Sequence, residues 1–268
     1  MANVNASSLI STANASASSS RTAASLARIA SGRRIAQAAD DVSGLSIGTA
    51  LQTQTAGLRA AIGNSNQASS LLQVTGGSLT QQISILQRQQ SLAIQASSGQ
   101  LTDANRAALN QEAQGLTAQL DQIAGSTNFN GVALLGGGNL SFTVGTSATD
   151  TLSVNLPTTD SATLFSGTAP DLSSAASAQA SLANIDAALS SLTAAQANIG
   201  ATQSRLNSGS AALGSALQQQ SAAASSLLDT DVASESTRLA TLLVQQSAET
   251  ATRAQANKLS RGVLQLLQ

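Results

Sequence analysis

The 268-residue chain has no histidine, cysteine, tryptophan or tyrosine, three phenylalanines, two prolines and a single lysine, Lys258. Without His or Cys the commonest general bases, thiolate nucleophiles and zinc ligands are missing, and no Ser-His-Asp triad can be assembled. No disulfide can form, and a chain without cysteine says nothing of its redox compartment. Charge is scarce too: 12 basic and 13 acidic side chains make up 9% of the residues, with a net charge of -1, against roughly a quarter in ordinary domains. Such a balance offers no basic stripe to neutralise phosphates, which argues against nucleic acid as a partner. No run of about 18 apolar residues occurs, so no transmembrane helix is expected. The start, MANVNASSLISTANASASSS, has neither the positive n-region nor the continuous apolar h-region of a cleaved signal peptide. The expectation is a chain that is not an enzyme and needs no cofactor or metal. Its weakly charged, Ser/Thr/Gln/Asn-rich surface suits a molecule surrounded by copies of itself.

What the sequence does have is heptad periodicity. Steps of three and four from Leu182 reach Ile185, Leu189, Leu192, Gln196, Ile199, Gln203, Leu206, Ser210, Leu213, Leu217, Gln220, Ala224 and Leu227. Ten of these fourteen positions are apolar, the seam of a coiled coil. A helix from Ala180 to Leu227 would be about 70 Å long. A partner seam runs through Ile47, Leu51, Gln54, Leu58, Ala61, Ser65, Ala68, Leu72, Leu79, Ile83, Leu86, Gln90 and Ala93. Gly76 and Gly77 interrupt it, at a cost of about 1 kcal/mol each relative to Ala, which predicts a bend. After a break at Ser98-Gly99, Thr102 and Asp103 are fitted to cap a third stripe of Leu109, Ala113, Leu116, Leu120 and Ile123. Three antiparallel segments can share one core, to which Leu58, Leu72, Leu86, Leu116, Leu189, Leu192, Leu206 and Leu213 are assigned.

Between these stripes the period falls to two. Leu140-Phe142-Val144 and Leu152-Val154-Leu156 read as strands joined by a turn at Gly145 to Asp150. With both prolines and several glycines in residues 131 to 180, this part is expected to be a non-helical tip: a small β-hairpin covering one end of the bundle. Gly136-Gly137-Gly138 reads as a turn, because no phosphate-binding context follows it.

Both ends of the chain are helical in pattern but poor in large apolar groups. The first offers Leu9, Leu26 and Ile29; the last offers Leu239, Leu243, Leu259, Val263, Leu266 and Leu267. Alone they bury too little to offset an ordering entropy of about 1–2 kcal/mol per residue, so they are expected to be mobile in a monomer and to fold against neighbours. Arg33, Arg34, Asp40 and Asp41 crowd into nine residues of SGRRIAQAADDVSGLSI. Adjacent carboxylates on a helix diverge by about 100°, so Asp40-Asp41 is no catalytic pair. Paired charges at that spot would fix register rather than add stability, which makes the four a structural joint. Asp229, Asp231 and Glu235 do not form a calcium loop, since Ser234 stands where its glycine is required; they suit the start of the last helix.

Together these segments resemble bacterial flagellin. The likeness is carried by SGRRIAQAADDVSGLSI, LLQVTGGSLTQQISILQR, LAIQASSG, RAALNQEAQGLTAQLDQIAGSTNFNG, IDAALSSLTAAQANIGATQSRLNSG and DTDVASESTRLATLLVQQSAETATRAQANKLSRGVLQLL. The resemblance implies a mainly α, elongated antiparallel bundle with paired terminal helices. Residues 1–42 and 228–268 would form the inner terminal-helix domain, and 43–130 with 180–227 the bundle. Residues 131–179 would be an outward-facing hairpin region without a large variable domain. It implies a self-assembling subunit of the extracellular flagellar filament, exported without a cleaved signal peptide. The implied partners are copies of itself or sister flagellins, an export chaperone, the filament cap and hook-associated proteins. Arg88, Leu92 and Glu112 match positions read by the host's flagellin-sensing Toll-like receptor, although Gln90 and Ser91 stand where many members carry Arg and Glu. Ser and Thr between 140 and 170 match a region the family often glycosylates. The competing readings are a hook-filament junction protein and a cell-surface polysaccharide or adhesion receptor; the latter lacks a Trp or Tyr platform.

Overall fold

The structure, a computed structural model, describes residues 2–266; the side chains of residues 2–8, 11, 260 and 263–266 lie outside the description. The elements are α1 (Ala2–Ser31), α2 (Val42–Ala96), α3 (Asp103–Ser126), β1 (Asn128–Phe129), β2 (Val132–Ala133), β3 (Gly136–Thr143), β4 (Thr151–Thr158), α4 (Ser161–Leu164), α5 (Ala175–Leu228) and α6 (Val232–Leu266). They form two compact units, Met1–Thr55 with Gln219–Gln268 and Ala56–Gln218, and both α2 and α5 contribute to each.

The unit Ala56–Gln218 is built on the two seams. Along α5 the large side chains buried in this unit are Ile185, Leu192, Ile199 and Leu206, seven residues apart, as a heptad stripe requires, with Ala178 and Ala188 buried beside them. They share one core with Leu72, Leu79, Leu86 and Leu92 of α2, each buried and each contributing about 1.5–3 kcal/mol by leaving water; Leu58 is buried as well, outside that cluster. Leu116, Leu189 and Leu213 are half-buried at the edge of this core. The interruption at Gly76-Gly77 does not break the helix, and α2 runs through both glycines. Thr75 and Leu79, both without exposed surface, hold that turn, so packing outweighs the propensity cost.

Two elements share the length of this pair. α3 covers the later part of α2, and its start is capped as expected, the Asn105 amide donating to Thr102 Oγ1 at 3.3 Å. Buried glutamines set the register. Gln89 Nε2 donates to the Ala113 carbonyl at 3.0 Å, and seven residues earlier Gln82 Nε2 donates to those of Leu120 at 3.4 Å and Thr159 at 3.3 Å. Buried Arg106 closes the α2–α3 turn by donating to the carbonyls of Ala96 and Ser98, where a cation offsets the negative end of the α2 dipole.

The hairpin pairs as its alternation predicts, with Leu140 opposite Val154 and Phe142 opposite Leu152. It does not cover an end of the bundle. Its base is tied at Thr159 to Gln82, Asn64 Nδ2 donates to the Thr143 carbonyl at 2.9 Å, and its turn lies where Thr146 comes against Gly57. From residue 57 to 82 is about 37 Å of helix, so the hairpin lies alongside α2, where its apolar side completes the core that α3 completes elsewhere. Gly136-Gly137-Gly138 lies in β3 rather than in a turn. Gly137 has φ 82° and its α-carbon faces the Thr158 hydroxyl so closely that any side chain would collide. The return segment also joins the core: Asp121 accepts from the Ser161 amide and hydroxyl, both at 2.8 Å, Asn110 accepts from the Leu172 amide at 2.9 Å, and Leu164, Phe165 and Leu172 are buried. α5 begins at Ala175, so helix replaces part of the expected loop.

Glycines separate close approach from idle flexibility. Gly63 is exposed with nothing within 4 Å of an added Cβ, whereas at Gly48 an added Cβ would stand 2.5 Å from Leu228 Cδ2 and 2.8 Å from its Cγ. Gly63→Ala should therefore stabilise the chain by up to about 1 kcal/mol, and Gly48→Ala should destabilise it by about 1–3 kcal/mol through overpacking. Urea unfolding of the two variants checks both signs.

Candidate assembly surface and its joint

α1 and α6 pack along each other in the unit Met1–Thr55 with Gln219–Gln268. Their described buried groups are mostly small or polar, with Leu242 the one large apolar side chain among them. Ser18 and Ser25, seven residues apart, are the buried side chains of α1 among the described residues; Glu235 and Leu242, again seven apart, are those of α6. The start of α6 is fixed by Asp231, whose carboxylate accepts from the amides of Ala233 and Ser234 at 3.0 and 3.3 Å, and by Glu235 in the first turn, where the dipole favours an acid. Asp229 accepts instead from the Ser225 hydroxyl. Among the described residues no cluster of acids is placed to hold a metal ion.

The large apolar side chains point the other way. Leu9 is 70% exposed, Leu259 64%, Leu26 57% and Leu243 49%, joined by Ile10, Val232 and Val244. Ile29 and Leu239 are half-buried, and Val263, Leu266 and Leu267 lie outside the described side chains. Nine of the twelve large hydrophobic residues left exposed among the described ones belong to this unit, although it has the fewer residues. Ile47, expected in the α2 seam, is one of them. There the contact passes instead through Gly44 and Gly48, against which Ile35 and Leu228 sit.

The charged stretch between α1 and α2 is held in place, but not by pairing among its four charges. Arg33 and Arg34 are bound to the end of α5 through their backbone and guanidinium. Arg33 bridges Asp229, the Arg34 amide donates to the Leu228 carbonyl at 2.7 Å, and Arg34 Nη2 donates to the Leu227 carbonyl at 2.7 Å. Asp40 folds its own loop by accepting from the amides of Ala36 at 3.1 Å and Gln37 at 3.0 Å, and Asp41 caps α2 by accepting from the Gly44 amide at 2.8 Å. The hydrogen bonds from the Gln37 and Ala36 amides, with the nearby Arg28 cation, hold the Asp40 carboxyl below its ordinary value of 3.8. Ile35, 2% exposed, plugs the loop. The cation facing Asp40 is Arg28, which periodicity concealed because it lies seven residues before Ile35 in an Ala/Ser-rich helix. Its guanidinium stands 3.8 Å from Asp40 and 3.5 Å from Glu235.

Arg88 and Glu112 form an exposed ion pair, Nε and Nη2 donating to one carboxylate oxygen at 2.9 and 2.7 Å. Leu92 is not beside them on the surface. It is 1% exposed, turned into the core one position from the expected seam residue Ala93, so the expected three-residue surface reduces to two. Gln90, on the same helix, donates to Asp186 at 2.6 Å.

Two family models match this chain: the bacterial flagellin N-terminal helical region over residues 2–139, more than half its length, and the C-terminal helical region over 182–267. The chain belongs to the bacterial flagellin family. It is 42% identical to the B-type flagellin of Pseudomonas aeruginosa over 156 residues, 58% of this chain and 32% of that one, and 39% identical to flagellin A of Vibrio cholerae over 134 residues, 49% and 35%. It thus spans about a third of the length of the curated relatives it matches. The crystal structure of Bacillus cereus flagellin aligns with a TM-score of 0.50 at 28% identity, covering 56% of this chain and 87% of that one. The structure of a flagellar hook-associated protein from Vibrio parahaemolyticus aligns with a TM-score of 0.61 at 14% identity, covering 71% and 100%, a likeness of fold alone. Both matched regions reach into the terminal pair, and residues 140–181, with most of the hairpin and the return segment, lie between the two matches.

The depressed Asp40 pKa fixes a sign. A carboxyl held below its unfolded value adds stability above about pH 4 that is lost as the pH falls through the folded value. The Ala36 and Gln37 amides should therefore lose protection from hydrogen exchange in that acid range, and Asp40→Asn should flatten the dependence. Exchange measured residue by residue against pH decides it.

Proposed function

We propose that this chain is a structural subunit that polymerises through its terminal helix pair into the extracellular flagellar filament. The observation that carries the reading is the inverted packing of α1 on α6: serines in the seam, Leu9, Leu26, Leu243, Val244 and Leu259 outside. Large apolar side chains left exposed in that number are a liability in a free monomer and an adhesive in a polymer. Membership of the flagellin family supports it, as does the absence of any described helix long and apolar enough to cross a membrane. On this reading the terminal helices are the inner domain of the filament. The partners are then further copies or sister flagellins, an export chaperone, the cap and hook-associated proteins. A Toll-like receptor surface is not part of the proposal, because Leu92 is buried.

The terminal pair buries little apolar area of its own, so it gains most of its order from neighbouring subunits. Each outward leucine that becomes buried between subunits contributes about 1.5–3 kcal/mol, or tenfold and more in critical concentration. Seeded polymerisation of the purified chain, viewed by electron microscopy, should give long uniform filaments. Leu9→Ser, Leu243→Ser and Leu259→Ser together should raise the critical concentration by at least about a thousandfold while leaving the unfolding of the unit Ala56–Gln218 within about 0.5 kcal/mol of the parent. Persistent monomers of the parent chain despite seeds would point to a junction protein instead.

A further inference from the structure

Arg28 is the only described cation within ion-pair reach of two carboxylates, and these belong to different elements: Asp40 in the loop that leads into α2, and Glu235 in the first turn of α6. Arg28 itself is in the last turn of α1. One guanidinium nitrogen faces each carboxylate, Nη2 to Asp40 Oδ1 at 3.8 Å and Nη1 to Glu235 Oε1 at 3.5 Å. Neither reaches the roughly 2.7–2.9 Å of a committed charge-assisted bond, which Arg88 does reach with Glu112 in the same molecule. The three groups are also partly withdrawn from water, with side-chain exposures of 25% for Arg28, 30% for Asp40 and 10% for Glu235. Two acids share one cation, and moving it towards either shortens one bond at the expense of the other. The Asp40 oxygen that is not facing Arg28 already holds the Ala36 and Gln37 amides, so a shift of Arg28 is felt directly by the loop.

From this geometry we propose that Arg28 is a positioning residue with two settings, one committed to Asp40 and one to Glu235, and that the setting fixes how the joint holds the terminal pair. The inference rests on the filament-subunit reading for its consequence: a small change at a joint, repeated once per subunit, accumulates into the twist of a helical polymer.

Removing one acid's charge at a time separates this from a merely structural role. Glu235→Gln commits Arg28 to Asp40, and exchange of the Ala36 and Gln37 amides in the monomer should slow by about two- to fivefold, the scale of a partly exposed ion pair. Asp40→Asn commits it to Glu235, and exchange in the first turn of α6 should slow by a similar factor. In filaments, the two variants should shift the twist in opposite directions from the parent. Arg28→Lys, whose single ammonium cannot span both acids, should not restore the parent's twist. A structural role alone would speed exchange at both places in both variants, and that result, or filaments of unchanged twist, overturns the proposal. Should the parent form no filaments, the filament reading fails, and the monomer exchange pattern still decides whether Arg28 is shared.

Discussion

How α1 meets α6 constrains everything else about this chain. Two helices gain most when their large apolar side chains face each other, and here Ser18 and Ser25 take those places while Leu9, Leu26, Leu243 and Leu259 face out. Small residues allow close backbone approach but bury little area, so the pair by itself is held by backbone order, a capped start at Asp231 and few apolar contacts. Such a pair gains stability from any further surface laid against it. In the other unit, by contrast, Leu and Ile fill the seam at seven-residue intervals and the core needs nothing further. One chain thus combines a part that is finished alone and a part that is not.

That contrast was largely legible in the sequence. A heptad repeat survives reading because its period is set by helix geometry, so Ile185, Leu192, Ile199 and Leu206 were identifiable as core from spacing alone, and so was the alternation that makes β3 and β4. Placement was less legible. Nothing in residues 140–156 says that their apolar side lies alongside α2 rather than over an end; that follows from Asn64, Gly57 and Gln82, none of which bears a recognisable signal. Gly76-Gly77 misled for a related reason. Local propensity weighs a glycine at about 1 kcal/mol, while the packing of Leu72 and Leu79 on either side is worth more and is invisible locally. The tiny β1–β2 ribbon did have a signal, the Asn130-Gly131 pair, whose positive φ angles make the tight turn between Phe129 and Val132.

The charged joint shows the opposite failure, in which the residues were found and their partners were not. Four charges in nine residues invite the inference that they pair with one another. Sequence proximity is a poor guide for short side chains in a loop, because the nearest donors are backbone amides. Asp40 and Asp41 each take those first, the one folding its loop and the other capping α2. Arg33 and Arg34 are then free to hold the end of α5. The carboxylate surface left over on Asp40 is met by Arg28, a turn and a half of chain geometry away from anything the cluster suggests.

These two features belong together physically. A polymerising face made of exposed Leu, Ile and Val is non-directional: apolar burial rewards contact area and is indifferent to a few degrees of rotation. A helical polymer nevertheless needs each subunit set at one angle, and only directional groups supply that. In this unit the directional groups are concentrated where the terminal pair ends, in Asp40, Asp41, Arg28, Glu235 and the backbone bonds from Arg34 and Thr230 to Leu228 and Gly32. On the filament-subunit reading, adhesion would come from the exposed apolar side chains of α1 and α6, and orientation from the polar groups gathered where the pair ends. In a chain with only 25 charged side chains among 268 residues, crowding them there is the arrangement that lets a weakly charged surface assemble in a defined geometry.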